Sequence, residues 1–164
     1  MSKKGRSVIL PGSYDPPTKG HLELLRIAAE EYEEVYLVAF VNPSKEYTFT
    51  VSERVAMLML LAEKYDNVMV SFSSGLVIDY MREHGIDLIL KGYRNDKDLE
   101  YEKAQAKWNL ENGGYETRLV KSDGDIALIS SSEVRRLLKS SPAEAEKLLT
   151  KEVYDYIKET RGEG

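Results

Sequence analysis

The sequence of 164 residues predicts a doubly wound α/β fold, in which a five-stranded parallel sheet carries helices on both faces. Two observations favour this fold. Short runs of Val, Ile and Leu are almost continuously apolar, which is typical of parallel strands covered on both faces. Segments with helical spacing separate these runs, and strand and helix patterns alternate about five times along the chain. The last helical patterns extend the prediction to a set of C-terminal helices.

The first strand and helix flank a stretch rich in Gly, Pro and Asp. The strand is predicted at residues 8–10, and the stretch covers residues 11–21. The helix presents one apolar face at helical spacing, made of Leu22, Leu25, Ala28, Ala29 and Tyr32. A helix start offers free N–H groups to an anion, and His21 in the first turn adds a directed donor. Glycines on either side allow the backbone to approach a ligand closely.

The middle of the chain repeats this strand–helix alternation. A central strand is predicted at residues 35–41, followed by a loop with Lys45 at its tip. Thr50 and Glu53 form a capping box for a helix extending to Tyr65. The next pair is a strand at residues 68–72 and a helix at residues 76–84, which Gly85 ends. The remaining His84, at that helix end, is interpreted as a partner of the helix dipole and not as a catalytic group.

The second half of the chain completes the sheet. A buried strand is predicted at residues 88–90, with residues 91–94 as its loop, and a charged helix at residues 97–112. A fifth strand at residues 117–121 leads into a polar turn, and Ser130 with Glu133 has capping-box spacing for another helix. The last helical patterns cover residues 142–150 and 151–160. This order of elements is that of a Rossmann-like domain.

Composition limits the classes of partner. One domain covering residues 1–164 is expected from the length. The net charge of −5 gives no bulk attraction to nucleic acid or to an anionic membrane, so neither is predicted as a partner. No apolar run approaches the roughly 20 residues that span a bilayer, and the N-terminus lacks a secretory apolar region, so a cytoplasmic location is expected. The absence of cysteine excludes disulfides and thiolate chemistry.

Ligands of such a sheet bind outside the carboxyl ends of the strands, where the loops carry a local cluster of positive and donor groups. The cations expected there are Lys45, Lys91 and Arg94, beside His21. Of three consecutive serines, Ser130 is predicted to cap a helix, while Ser131 and Ser132 present further donors to an anion. A site rich in donors and poor in nucleophiles suits phosphoryl or nucleotidyl transfer.

Four motifs in this order resemble those of the bacterial phosphopantetheine adenylyltransferases. They are Gly12-Ser13-Tyr14-Asp15-Pro16-x-Thr18-x-Gly20-His21, Asn42-Pro43-Ser44-Lys45, Gly92-x-Arg94 leading to Asp98-x-Glu100-Tyr101-Glu102, and Ile129-Ser130-Ser131-Ser132. The first is shared by a whole nucleotidyltransferase superfamily. Thr18 at its start, together with the second and third motifs, narrows the resemblance to this one family.

The resemblance implies transfer of the adenylyl group of ATP to 4′-phosphopantetheine by direct attack of the acceptor phosphate, with Mg²⁺ as cofactor and no metal ligand from the protein. It further implies a homohexamer. The catalytic residues would be His21, which stabilises charge in the transition state, Lys45 and Arg94. ATP would be bound by Ser13, Tyr14, His21, Gly92, Tyr93, Arg94, Glu102, Ser130, Ser131 and Ser132. Phosphopantetheine would be bound by Ser13, Lys45, Leu76, Val77 and Lys91.

Two departures and two alternatives accompany this resemblance. Lys91 stands where the family usually has Arg, which keeps the charge but loses the bidentate fork. Residues 125–128 lack the aromatic side chains usual in the family, so the resemblance predicts no ligand contacts for them. One alternative is an adenylyltransferase acting on nicotinate or nicotinamide mononucleotide, although such relatives typically have His at position 18. The other is a nucleotide sensor without turnover, against which the intact His21 argues.

Overall fold

A computed structural model describes residues 4–122 and 129–161, which form five strands and seven helices. The strands are β1 (Lys4–Gly12), β2 (Tyr32–Phe40), β3 (Val68–Ser73), β4 (Leu88–Tyr93) and β5 (Glu116–Lys121). The helices are α1 (Lys19–Glu31), α2 (Val51–Ala62), α3 (Val77–His84), α4 (Asp96–Gly113), α5 (Ser131–Ser140), α6 (Pro142–Glu146) and α7 (Lys151–Arg161).

The five strands form one parallel sheet in the order β3-β2-β1-β4-β5. Val8 of β1 pairs with Val35 of β2 on one side and with Leu88 of β4 on the other. The chain therefore winds outward from β1 in both directions, which is the predicted doubly wound topology. Such a reversal opens a crevice at the carboxyl end of β1, and a ligand site is expected there.

Successive side chains of the strands point to opposite faces of the sheet and pack into two separate apolar cores. Val8 and Leu10 of β1 face the larger core, together with residues of α1, α2 and the C-terminal helices. Ile9 faces the smaller core, where Tyr80 and Met81 of α3 pack against it. This alternation confirms that helices cover both faces of the sheet.

The end signals of three helices, α2, α3 and α4, are clear in the structure. Thr50 and Glu53 make the reciprocal contacts of a capping box, at 2.9 and 3.1 Å. Gly85 and Gly114 follow α3 and α4 in the left-handed conformation, with φ of 65° and 76°. Glycine reaches this region without a Cβ clash, so the two positions fix where the helices end.

Several predicted boundaries were wrong by a few residues. Tyr32 begins β2 instead of closing the first helix, although it is buried as expected. Strand β4 continues through Lys91 to Tyr93, because pairing with β5 extends that far. Helices α2 and α6 end at Ala62 and Glu146, before the predicted ends. The polar turn beyond Ser122 and the open contacts at residues 125–128 lie outside the described residues.

Candidate active site

The carboxyl-terminal parts of β1, β2 and β4 border a pocket of about 240 Å³ at the predicted crevice. Gly12 and Ser13 line it from the end of β1, and Lys91 lines it from β4. Helix α4 covers the opposite side with Glu102 and Asn109. The pocket therefore lies between one face of the sheet and α4, at the position where the sequence predicts a ligand.

His21 is held in one protonation state by the turn that begins α1. The backbone N–H of Thr18 donates to its Nδ1 at 3.0 Å, and the Thr18 hydroxyl accepts from the N–H of Gly20 at 3.2 Å. An amide can only donate, so Nδ1 carries no proton and the neutral ring carries its proton on Nε2. Burial, and secondarily the charge of Lys91, lower the pKa of His21 to about 4. At neutral pH the ring is therefore a fixed N–H donor and not a base.

Tyr14 supports His21 from within the protein. Its backbone has a positive φ of 53°, its ring is buried, and its hydroxyl donates to the carbonyl of Leu10 at 2.8 Å. The ring meets the imidazole of His21 edge-on at 4.7 Å. A Cβ on Gly12 would approach the Tyr14 ring to 3.1 Å, so this glycine makes room for the ring. Burial raises the pKa of the Tyr14 phenol. If the phenol contacted ATP, its hydrogen bond to Leu10 would have to break. The predicted contact of Tyr14 with ATP is therefore assigned to its backbone.

Ser13 and Lys45 lie together although 32 residues separate them. The Lys45 ammonium donates to the Ser13 hydroxyl at 3.4 Å, and both side chains are at the surface of the crevice. The loops after β1 and β2 thus present one hydroxyl and one cation at the same point. These are two of the groups that, by the family resemblance, would bind phosphopantetheine.

Two buried residues, Asp15 and Arg54, hold these loops together, although the sequence predicts no role for either side chain. The Asp15 carboxylate accepts from the N–H groups of Thr48 and Phe49, each at 2.9 Å. Arg54, which is 1% exposed, donates to the carbonyls of Ser13 at 2.9 Å and Phe49 at 3.2 Å. Asp15, in the loop after β1, thus binds the loop after β2. Arg54, on α2, binds both loops at once. No spacing signal marks Arg54, since a charged residue in a helix is most often at the surface.

Arg54 is further held by an aromatic contact. Its guanidinium lies 3.9 Å from the centre of the Tyr47 ring, and the Tyr47 hydroxyl accepts from the N–H of Asn42 at 2.8 Å. A guanidinium is weakly hydrated and stacks well on an aromatic face, which suits it to burial. Through Tyr47, Arg54 therefore also holds the loop that carries Lys45.

Lys91 points into the pocket and not into solvent. Its Nζ lies 3.6 Å from a carboxylate oxygen of Glu102 on α4. Burial raises the pKa of Glu102, and the charge of Lys91 partly offsets this rise. Since the same cation also acts on His21, Lys91 is the shared positive charge of the site.

Arg94 is paired at the start of α4. Its Nε and Nη2 donate to the two carboxylate oxygens of Asp98 at 2.7 and 3.2 Å, and this pairing lowers the pKa of Asp98. Five N–H donors belong to a guanidinium, so further donors stay open to a phosphate. Gly92 and Tyr93 precede it on β4, with the Tyr93 carbonyl accepting from the N–H of Ser122 at 2.9 Å.

The three serines lie at the start of α5 and have different partners. Ser130 caps the helix as predicted, accepting from the N–H of Glu133 at 3.1 Å. The reciprocal half of the predicted capping box is absent, because the Glu133 carboxylate accepts from Arg136 instead. The Ser131 hydroxyl donates to the carbonyl of Pro16 at 2.8 Å, and Ser132 accepts from Arg135 at 3.1 Å. These contacts place the N-terminus of α5 against the loop that follows β1. An anion there would meet backbone N–H groups before serine hydroxyls.

Leu76 and Val77, which the resemblance assigns to phosphopantetheine, differ in their position relative to the pocket. Val77 lines the pocket, whereas Leu76 lies at the N-cap position of α3 with half of its surface exposed. Sequence reasoning missed Gln105, Asn109 and Thr117, which also line the pocket. The first two could have been found, because Gln105 is three residues after Glu102 and Asn109 is four residues after Gln105, which places all three on one face of α4.

The chain is similar in sequence to known nucleotidyltransferases. Residues 9–137 match the family model described as cytidylyltransferase-like. A phosphopantetheine adenylyltransferase of Natranaerobius thermophilus is 35% identical over 95% of this chain and 96% of its own. The enzyme of the same name from Corynebacterium diphtheriae is 38% identical over 82% of this chain and 85% of its own.

Two solved structures have a similar fold at low sequence identity. Plasmodium falciparum nicotinic acid mononucleotide adenylyltransferase, complexed with NaAD, superposes with a TM-score of 0.67 at 18% identity, covering 96% of this chain and 97% of that one. Thermotoga maritima TmcAL, bound with alpha-thio ATP, superposes with a TM-score of 0.68 at 13% identity, covering 97% of this chain and 57% of that one. At these identities the likeness shows the fold alone.

Proposed function

The chain belongs to the phosphopantetheine adenylyltransferases of the cytidylyltransferase-like family, and on that premise we propose how its own residues transfer the adenylyl group of ATP to 4′-phosphopantetheine. The products are dephospho-CoA and pyrophosphate. The observation that carries the proposal is that Ser13 and Lys91 line the same pocket. Lys45 donates to Ser13 at 3.4 Å, and the charge of Lys91 acts on the neutral His21. These groups suit a reaction in which the acceptor phosphate itself is the nucleophile.

The acceptor binds with its phosphate at the Ser13–Lys45 pair and its arm in the pocket. The pair supplies one hydroxyl and one ammonium within 3.4 Å of each other, enough to hold a phosphate by two contacts. Lys91 adds a second cation further into the pocket. Val77 and the α4 side chains then cover the arm. Fixing the attacking oxygen in this way supplies the positioning on which phosphoryl transfer depends.

ATP binds on the other side of His21, toward the starts of α4 and α5. Arg94 and the N–H groups at Ser131 and Ser132 face its outer phosphates, and Glu102, Gly92 and Tyr93 border the nucleotide. Transfer forms a bond from the acceptor oxygen to the α-phosphorus and breaks the bond to the departing pyrophosphate. Charge then builds on the phosphate oxygens, and His21 stabilises it by donating from Nε2. Because Nδ1 already accepts from Thr18, this donor needs no reorientation during the step.

Mg²⁺ is the proposed cofactor, held by the phosphates of ATP. Among residues 4–122 and 129–161 no three His, Asp or Glu side chains lie close enough to hold a metal ion. The carboxylates at the site, Glu102 and Asp98, are each paired with a cation, Lys91 and Arg94, so cations and neutral donors are left to face a phosphate. When bound with ATP, Mg²⁺ would supply positive charge beside the phosphates, in addition to that of Lys91 and Arg94.

Exposed apolar side chains lie along one edge of the sheet. The edge strand β3 exposes Met69 and Phe72, and Leu76 lies just beyond it, each with 42–57% of its surface open. Apolar groups grouped along a sheet edge suit contact with a second copy, so we include the homohexamer expected from the family. No helix in the described ranges is long and apolar enough to cross a membrane. Use of ATP favours work in the cytoplasm.

Pyrophosphate release with a panel of phosphorylated acceptors tests the proposal. Release is expected with ATP and 4′-phosphopantetheine, and only trace release with nicotinate or nicotinamide mononucleotide. The fold resembles that of a nicotinic acid mononucleotide adenylyltransferase, so the mononucleotides are the informative competitors. Preference for a mononucleotide would refute the proposed acceptor while leaving adenylyl transfer intact.

A further inference from the structure

Thr117 carries an unusual hydroxyl. Among the described residues, its Oγ1 is the buried side-chain polar atom that has no hydrogen-bond partner. The residue lies on β5 and lines the pocket beneath α4. An unpaired polar atom at the wall of a ligand pocket therefore needs an explanation.

A hydroxyl in this position is unfavourable for the free protein. Burial removes it from water, and no protein group replaces the lost hydrogen bond. Valine has nearly the same shape and would fill the space without this cost. A threonine here is explained if a ligand supplies the missing partner, since sites often sacrifice stability for binding.

The register of the sheet tells how far this hydroxyl lies from the phosphate end of the pocket. Thr117 pairs with Ile89 of β4, and Lys91 is two residues further along the same strand. With a rise of about 3.3 Å per residue and about 4.8 Å between strands, the backbones of Thr117 and Lys91 are about 8 Å apart. An acceptor whose phosphate lies near Lys91 extends past Thr117 within a few bonds.

The groups around Thr117 suit an amide. Gln105 and Asn109 of α4 line the same pocket and can both donate and accept hydrogen bonds. Ile89 and Ala106 supply apolar wall between them. The first amide of 4′-phosphopantetheine follows its branched carbon a few bonds from the phosphate, at about the depth of Thr117.

We infer that the Thr117 hydroxyl hydrogen-bonds this first amide, and that Thr117 is a specificity-determining residue for acceptors with an amide-bearing arm. The inference rests on the proposed function and assigns a residue within that same site. A turn of the side chain to another staggered rotamer brings the hydroxyl toward the ligand. Because the hydroxyl leaves no partner behind when it turns, the protein loses no hydrogen bond.

Thr117→Val, Thr117→Ser and the matched control Thr160→Val test this inference by pyrophosphate release and by melting without ligands. Thr160 is exposed on α7, and its hydroxyl donates to the carbonyl of Tyr156 at 3.0 Å. Thr117→Val is expected to raise the KM for 4′-phosphopantetheine about five- to tenfold, the size of one neutral hydrogen bond. The KM for ATP should stay unchanged, and the melting temperature should stay equal or rise. Thr117→Ser should retain the wild-type KM, as should Thr160→Val.

Three outcomes overturn the inference. One is an unchanged KM for 4′-phosphopantetheine in Thr117→Val. Another is a lower melting temperature of that variant, which would reveal a structural role. The third is an equal KM ratio with a phosphorylated alcohol that lacks the amide, since the effect should vanish with it. Failure of the proposed function shows separately, as absence of pyrophosphate release by the wild-type protein with 4′-phosphopantetheine.

Discussion

Replacing His21 separates its role as a donor from its role in the fold. His21→Ala removes the Nε2 donor, and loss of one preorganised donor to a transition state costs about 2.7–4 kcal/mol, or about 10²–10³-fold in kcat. His21→Gln places an amide nitrogen near the Nε2 position and should recover part of that loss. His21→Asn reaches only the Nδ1 position and should resemble Ala. Steady-state kcat for pyrophosphate release is the measurement, with the KM for ATP expected to change little.

The pH dependence gives an independent check on the same residue. The pKa of His21 is lowered to about 4 in the folded protein, from about 6.5 when unfolded. Between these values the unfolded chain binds more protons, so stability is complete above about pH 6.5 and is lost as the pH falls toward 4. The slope approaches about 1.4 kcal/mol per pH unit, which sums to about 3 kcal/mol. Urea unfolding at pH 7 and pH 4.5 should show this loss in the wild type, and a smaller loss in His21→Gln.

Two results would refute this reasoning. An NMR titration that gives His21 a pKa near 6.5 would mean that the ring is solvated and its tautomer free. Equal kcat values for His21→Gln and His21→Asn would mean that the Nε2 position is not where the donor acts. Circular dichroism of each variant shows whether a loss of activity reflects unfolding.

Three further predictions concern the cations of the site. Lys45→Ala should raise the Kd for 4′-phosphopantetheine more than that for ATP, as measured by calorimetry with each ligand alone; the reverse order would mean that the two subsites are exchanged. Lys91→Arg should keep most of kcat/KM for the acceptor, while Lys91→Ala should lose about 2–4 kcal/mol of transition-state stabilisation; a loss under threefold would remove Lys91 from the site. Arg54→Met should lower the free energy of unfolding by about 2 kcal/mol or more, because the carbonyls of Ser13 and Phe49 lose their donor; an unchanged urea midpoint would contradict this.

Local signals in the sequence predicted most of the fold. Thr50 with Glu53 marks a helix start and Gly85 a helix end through contacts between neighbours in the chain, so these positions are readable without the fold. The continuous apolar strands predicted a parallel sheet covered on both faces. The last residues of β4 were missed, because only pairing with β5 makes Lys91 and Gly92 part of a strand.

The site was predictable where a motif carries it and not where distant parts meet. His21 and the Ser13–Lys45 pair follow from strand ends that share one edge of the sheet. The partners of Arg54 lie in two loops that come together only in the folded chain. The Thr117 hydroxyl is unpaired because no neighbouring group in the described part of the folded chain offers it a hydrogen bond. The sequence pattern alone does not show this.

The contacts of Asp15 and Arg54 determine when the acceptor site becomes ordered. The two residues join the loops after β1 and β2 before any ligand arrives. The backbone entropy of the loops that carry Ser13 and Lys45 is thus lost during folding and not during binding. An acceptor phosphate then meets a receptor of fixed shape, so small differences in the acceptor are not absorbed by loop movement. Discrimination among phosphorylated acceptors arises from this rigidity as much as from the charges themselves.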